Sequence, residues 1–295
     1  MISVIICSAN VKFLESATEN IEATIGVPFE LLVFENSGAK KGITEVYNEA
    51  AKLAKFEILC YMHEDLNILT QNWGNKVLDI FKNNAQVGIV GVAGSTYKSI
   101  TPSGWAVAAH GLDMIRCNYI QAYKRSIEPS FHYVLNSDAS DLAEVVCVDG
   151  LWFCTPKSVA LKYGFDQDLF KGFHCYDLDY CFNVNQNLTI VVTYDILMEH
   201  FSEGGYDREW IEETLKLHQK WAKMLPRSVS PVSSHEREFI EKRSFHWMIE
   251  KMIALKYPLI TITLFLNRYR KLGDLTTIGF FKLLLHMTKH SMKQH

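Results

Sequence analysis

The sequence predicts an α/β protein: a mostly parallel sheet flanked by helices, with a helical appendage at its C-terminal end. Strand-like apolar runs alternate with helically spaced segments over the first 94 residues, joined by short connections. Hydrophobic residues make up 48% of the 295 and charged residues 21%, an ordinary globular composition with enough apolar material for a sizeable core. The net charge of −3 is divided unevenly. Residues 227–295 carry 12 Lys and Arg against 5 Asp and Glu, a net of +7, which leaves −10 on residues 1–226. Two units are therefore expected, 1–226 and 227–295.

Ile2–Cys7 is apolar and β-branched and reads as the first strand. Phe13–Ile25 has helical spacing, and Pro28 marks the start of a second strand, Phe29–Phe34. Glu35-Asn36-Ser37-Gly38 reads as a turn, because Asn and Gly tolerate left-handed backbone. Ile43–Leu53, with Ala50 and Ala51, is a helix, and Phe56–Met62 a third strand. Asn72–Phe81 is helical and Val87–Val92 a strand.

From Gly94 to Cys147 the rhythm breaks into Gly, Pro, Ser and aromatics, as in the binding loops and lids inserted into α/β domains. Strands resume at Glu144–Val148, Leu151–Cys154 and Thr189–Tyr194. Helices start near Tyr176 and run over Asp207–Met224, which Pro226 ends. Ser228–Ser234 reads as a linker to helices rich in both apolar and basic residues. Their longest uncharged stretch, Tyr257–Asn267, has 11 residues, well short of the about 20 that span a bilayer.

The seven cysteines form no CxxC pair, and several lie in apolar runs, so they are expected to be reduced, small hydrophobes in a cytoplasmic protein. The chain opens directly into a strand with no basic leader, and no secretion signal is expected. An acidic body argues against nucleic acid as a partner. The basic tail is expected to form a helical subdomain folded on the body; contact with an anionic membrane surface, which would make the protein peripheral at the inner face, is the alternative.

Open α/β sheets bind ligands beyond the carboxyl ends of their strands. The residues there are Ser8 and Asn10 after the first strand, Glu35, Asn36 and Ser37 after the second, and His63, Glu64 and Asp65 after the third. Carboxylates at a strand end can hold a hard divalent cation, which in turn holds a diphosphate. Asp65 is the expected metal contact, supported by Glu64 or His63, and Glu35 can accept a hydrogen bond from a nucleobase. The plainer alternative is a turn that caps the next helix.

Asp177 and Asp179 are two residues apart and cannot share a helix face, so one is expected at the crevice as a general base and the other as a cap or brace. His200, expected just after a strand and ahead of Gly204-Gly205, can present a neutral imidazole to a metal or be structural. Gly88, Gly91 and Gly94 run through a strand instead of opening a helix, and no Gly-rich turn follows Ser8. Both facts argue against a nicotinamide-binding oxidoreductase.

In order along the chain, these blocks resemble the inverting GT-A glycosyltransferases of the family 2 type. Val4–Asn10 is similar to their opening strand, and Glu35-Asn36-Ser37-Gly38 to their Asp-Asn-Gly-Ser signature. Asn48 followed by Phe56–Asp65 resembles the asparagine helix and the metal-binding Asp-X-Asp strand. Gly164-Phe165-Asp166 and Tyr176-Asp177-Leu178-Asp179 resemble the Gly-Gly-Phe-Asp and Glu-Asp-X-Asp blocks, and His200 with Gly204-Gly205 the late histidine and glycine pair. The resemblance covers about residues 1–225. His63 stands where an aspartate is usual, Glu35 where an aspartate is usual, and Tyr176 where a glutamate is usual.

The resemblance implies a Rossmann-like GT-A sheet that moves a sugar, with inversion, from a nucleotide-diphosphate donor to a glycan or lipid-linked acceptor in polysaccharide biosynthesis. Asp65 would bind Mn2+ or Mg2+, with His200 completing the shell. Asp177 would be the base. Ser8, Asn10, Glu35, Asn36, Asn48 and Glu64 would serve the nucleotide-sugar. Asp149, Gly150 and Trp152 would line the acceptor side, with 94–147 as an acceptor-side insertion. The alternative on the same fold is a non-catalytic nucleotide-sugar binding or assembly subunit.

Overall fold

The computed structural model describes residues 1–285, apart from 39, 107–110, 124–127, 138, 203, 271–277 and 284. At its centre is a seven-stranded sheet with the spatial order Leu142–Val145, Thr189–Thr193, Val87–Gly91, Trp152–Pro156, Ile58–Met62, Ile2–Ser8, Phe29–Glu35. Five of the seven strands share one direction. Trp152–Pro156 and Leu142–Val145 run against their neighbours. Strand alternation sends Val4, Ile6, Cys60, Met62, Trp152 and Cys154 to one face, and Ile5, Leu59, Tyr61 and Phe153 to the other. Both faces are covered, which is why these strands read as nearly continuous apolar runs.

One face carries α1 (Val11–Thr24) and α3 (Trp73–Asn83), packed through Ala17, Ile21, Trp73 and Val77. The other carries α2 (Ile43–Leu53), α4 (Lys157–Tyr163), α5 (Tyr176–Val184) and α6 (Arg208–Lys220), with Tyr47, Ala160, Tyr180 and Leu217 in the core. The expected elements up to Val92 are present within one or two residues at most ends.

Residues 94–147 are more regular than their composition suggests. They supply Leu142–Val145 to the main sheet and Ile115–Ala122, Phe131–Leu135 and Cys147–Val148 to a second sheet. Polar strand residues hid this pattern, and they are satisfied by backbone. Asn118 Nδ2 donates to the Tyr194 carbonyl at 2.7 Å, and Gln121 Nε2 to that of Ser202 at 2.6 Å. The second sheet also contains Leu66–Ile68 and Met198–Phe201, so His200 sits within a strand and not after one.

The C-terminal helices are α7 (Ser234–Ala254), which starts in a Ser233–Glu236 capping box, and α8 (Leu259–Arg270). They share a core with α6 through Trp210, Ile211, Phe245, Ile249 and Phe265. The expected linker is partly ordered, since Arg227–Ser228 pairs with Tyr97–Lys98. From α7, buried Glu241 accepts hydrogen bonds from Tyr97 Oη (3.0 Å) and from the N–H groups of Ile100 and Thr101 (both 2.8 Å). These helices are thereby bound into the body by polar contacts as well as apolar ones. Among the described residues, no helix is long and apolar enough to cross a membrane.

Candidate active site

The third strand ends at Met62, and the next three residues diverge in role. Glu64 turns to the end of the first strand, where its carboxylate accepts from Ser8 Oγ (2.5 Å) and from the N–H groups of Ala9 (3.2 Å) and Asn10 (3.1 Å). Asn10 in turn caps α1. Ser8, Asn10 and Glu64 are therefore brought together, holding two strand ends in register.

His63 and Asp65 turn to the other side. Pairing of Met198–Phe201 with Leu66–Ile68 sets His200 opposite Leu66, and so beside Asp65. Asp65 Oδ1 lies 4.0 Å from His63 Nδ1 and 3.7 Å from His200 Nε2, and one ligand atom from each of the three lies within 4.8 Å of the others. Each of those two separations is below twice a metal–ligand bond of about 2.1 Å, so one divalent ion can bridge either pair. Two imidazoles and a carboxylate are a coherent donor set for such an ion.

His63 is oriented from behind. Its Nε2 lies 2.9 Å from Tyr176 Oη, and that hydroxyl donates to the Gly150 carbonyl at 3.1 Å. With Nδ1 turned to Asp65, the consistent arrangement has Nε2–H donating to Tyr176. Tyr176 at the glutamate position thus matches histidine at the aspartate position. Sequence reasoning gave this tyrosine no role, because its partner is 113 residues away.

Two carboxylates stand on the same floor. Asp177, in the first turn of α5, accepts from the Gly150 N–H at 2.9 Å, and Asp149 accepts from the Leu151 N–H at 3.0 Å. Burial raises Asp149 to about 7, with the Asp177 charge as the second cause. Burial raises Asp177 to about 6, opposed by hydrogen bonds from backbone N–H groups and by the charge of Lys98. Lys98, fully buried, donates to the Ser103 carbonyl (2.8 Å) and hydroxyl (2.7 Å) and to His218 Nε2 (2.9 Å). Burial pulls its amine down to about 8. Asp179 faces away from Asp177: its carboxylate takes Lys220 Nζ (2.8 Å) and Trp221 Nε1 (2.7 Å), bracing α5 against α6.

A cavity of about 360 Å³ lies above this floor, lined by His63, Asp149, Gly150, Tyr176 and Asp177. A second hollow, at the ends of the first two strands, is lined by Cys7, Ser8, Asn36, Lys41 and Lys171. Asn10, Glu64 and Asp65 border a third.

Three expected site residues stand outside these hollows. Trp152 is fully buried, edge-on to Trp73 with ring centroids 5.9 Å apart, and lines none of these hollows; it belongs to the core. Asn48 spends its amide on the backbone of Phe165 (2.8 and 2.9 Å) and on Gln167, holding the turn before α5. Glu35 is exposed at the second strand's end, outside the three hollows, while Asn36 folds the turn after it through both backbone groups of Lys41.

A model of a glycosyltransferase-like family matches residues 3–218. No curated protein matches the sequence significantly. In fold the chain is similar to the crystal structure of GalNAc-T7 with UDP, GalNAc and Mn2+, at 11% identity and a TM-score of 0.53. That likeness covers 88% of this chain and 58% of the other, so the chain spans less than two thirds of that neighbour's length. It is also similar to S. aureus TarS 1-349, at 12% identity and a TM-score of 0.52, covering 90% of this chain and 78% of that one. The match over most of the chain, together with the sheet that carries the site, leads to one conclusion: the chain belongs to the glycosyltransferase-like family and has a GT-A fold.

Proposed function

We propose that this protein transfers a sugar from a nucleotide-diphosphate donor to a hydroxyl of a glycan or lipid-linked acceptor, with inversion at the anomeric carbon. The observation that carries the reading is convergence. The His63–Asp65–His200 cluster and the Asp149–Asp177 pair meet on one floor, joined through Tyr176 and Gly150. The hollow bordered by Ser8, Asn36, Lys41 and Lys171 is the candidate place for the nucleoside.

A divalent cation held by His63, Asp65 and His200 would neutralise the charge of the diphosphate as it leaves. Two imidazole donors favour Mn2+ over Mg2+, which prefers oxygen ligands. Asp177 takes the proton of the acceptor hydroxyl as that oxygen bonds to the anomeric carbon and the bond to the diphosphate breaks. The nucleoside diphosphate then departs on the opposite side. With a carboxyl value near 6, Asp177 is largely ionised at neutral pH yet basic enough to accept the proton.

The test is calorimetric titration with UDP, GDP and dTDP, each with Mn2+ and with EDTA, on the wild type, Asp65→Ala and Asp177→Asn. One nucleotide should bind in a metal-dependent way, and Asp65→Ala should abolish that binding. Asp177→Asn should keep donor affinity and lose turnover by about 100-fold or more. A wild type that binds the nucleotide but transfers nothing would favour a non-catalytic binding subunit. No nucleotide binding at all would sink both.

The surface of the C-terminal helices supports a role at an anionic membrane facing the cytoplasm. Ile260 and Leu264 on α8, and Ile278, Phe281 and Leu285 beyond it, are exposed in a region of net positive charge. Replacing Ile260 and Leu264 by Ser should weaken binding to vesicles containing phosphatidylserine. Undiminished binding would refute the role.

A further inference from the structure

The family match ends at residue 218, yet one residue well beyond it reaches the catalytic floor. Trp247, on α7, lines the same cavity as His63, Asp149 and Asp177. It stands there with Trp105, Tyr206 and Trp210. Tyr206, Trp210 and Trp247 meet edge to face, with ring centroids 4.9, 4.9 and 5.5 Å apart. Tyr206 is 47% exposed, so this cluster is not a closed core. Lys251, one turn further along α7, rests its ammonium 4.5 Å from the Tyr206 ring centroid and 5.3 Å from that of Trp247. A cation against two ring faces holds them in place at the cavity's rim.

We propose that Trp247 and Tyr206 form the specificity-determining wall of the acceptor site, and that this wall receives a neutral pyranose ring. The inference rests on the glycosyltransferase reading above. Aromatic rings on one side and two carboxylates on the other are complementary to the two kinds of surface a sugar ring offers. Its C–H face packs on the aromatic side chains, and its hydroxyls donate to Asp149 and Asp177. A lipid chain in this cavity would bury both carboxylates against hydrocarbon, and an anionic sugar would add a third negative charge to the pair. The cavity's volume, about 360 Å³, is in the range of small-ligand pockets. On this reading the C-terminal helices complete the acceptor site. The family segment alone would supply Tyr206 but not Trp247, and so only half of this wall.

The experiment uses the full chain. Methyl glycosides of glucose, galactose, mannose and N-acetylglucosamine, and methyl glucuronide, are titrated by tryptophan fluorescence and saturation-transfer NMR, with Mn2+ and the nucleotide that binds. Wild type, Trp247→Ala, Trp247→Phe and Tyr206→Ala are compared. At least one neutral glycoside should bind. Trp247→Ala and Tyr206→Ala should each weaken it about tenfold, Trp247→Phe by less, and nucleotide affinity should stay within about twofold. Should Trp247→Ala fail to fold, half-exposed Tyr206→Ala still carries the test. Glycoside binding unchanged in the folded variants would overturn the proposal, as would tighter binding of the glucuronide. So would a chain that binds nucleotide but no glycoside. Failure of the wild type to bind any nucleotide would instead overturn the glycosyltransferase reading beneath it.

Discussion

Asp149→Asn should stabilise the folded chain at neutral and alkaline pH, by an amount that follows from the burial of this side chain beside Asp177. Asp149 rises from an ordinary 3.8 to about 7, through burial first and the Asp177 charge second. A carboxyl raised in this way keeps its proton in the folded chain at pH values where the unfolded chain has lost it. The folded state therefore binds more protons between about pH 4 and about pH 7, and stability falls as pH rises through that window. Above it the penalty is complete and level.

Roughly three pH units at about 1.4 kcal/mol each set an upper value of about 4 kcal/mol. Water reaching the cavity screens part of it, so a gain of about 2–4 kcal/mol is expected. Asparagine removes the charge and retains an oxygen for the Leu151 N–H that donates to Asp149 Oδ1. The assay is urea unfolding in EDTA, wild type against variant, from about pH 4 to about pH 8. The two curves should nearly coincide at the acid end and separate as pH rises. A variant no more stable than wild type at the alkaline end, or an offset equal at every pH, would refute the reasoning.

Two further outcomes are expected. Tyr176→Phe removes the hydroxyl that orients His63 and should weaken Mn2+ binding about tenfold by electron paramagnetic resonance titration, with the fold intact; wild-type affinity would show that His63 needs no such partner. Glu241→Ala strands the Ile100 and Thr101 N–H groups and the Tyr97 hydroxyl, and should cost about 3 kcal/mol in urea unfolding; a loss below about 1 kcal/mol would mean that water replaces the carboxylate.

The first three strands and the helices around them were legible because their side chains obey a period. Val4, Ile6, Cys60 and Met62 go to one face and Ile5, Leu59 and Tyr61 to the other, and strand ends then follow from where the apolar run stops. Position at those ends marked Asp65 and His63, and spacing alone said that Asp177 and Asp179 could not point the same way. The strands at Ile115–Ala122 and Met198–Phe201 were not legible, because Asn118, Gln121 and His200 interrupt the apolar pattern and are satisfied by partners far along the chain.

What the sequence by itself determined was the run of strands and helices and the small set of polar residues at the carboxyl ends of the strands, since these depend on local periodicity and on where it ends. Tertiary structure alone decided how that set divided. Glu64 went to the first strand, Asn48 to a turn and Trp152 to the core, while Tyr176 came to His63 and Trp247 to Asp177's cavity. A hydrogen bond or ring contact between residues more than fifty positions apart leaves no mark in the spacing of either neighbourhood. Only the packing of the helices against the sheet brings such residues within reach of one another.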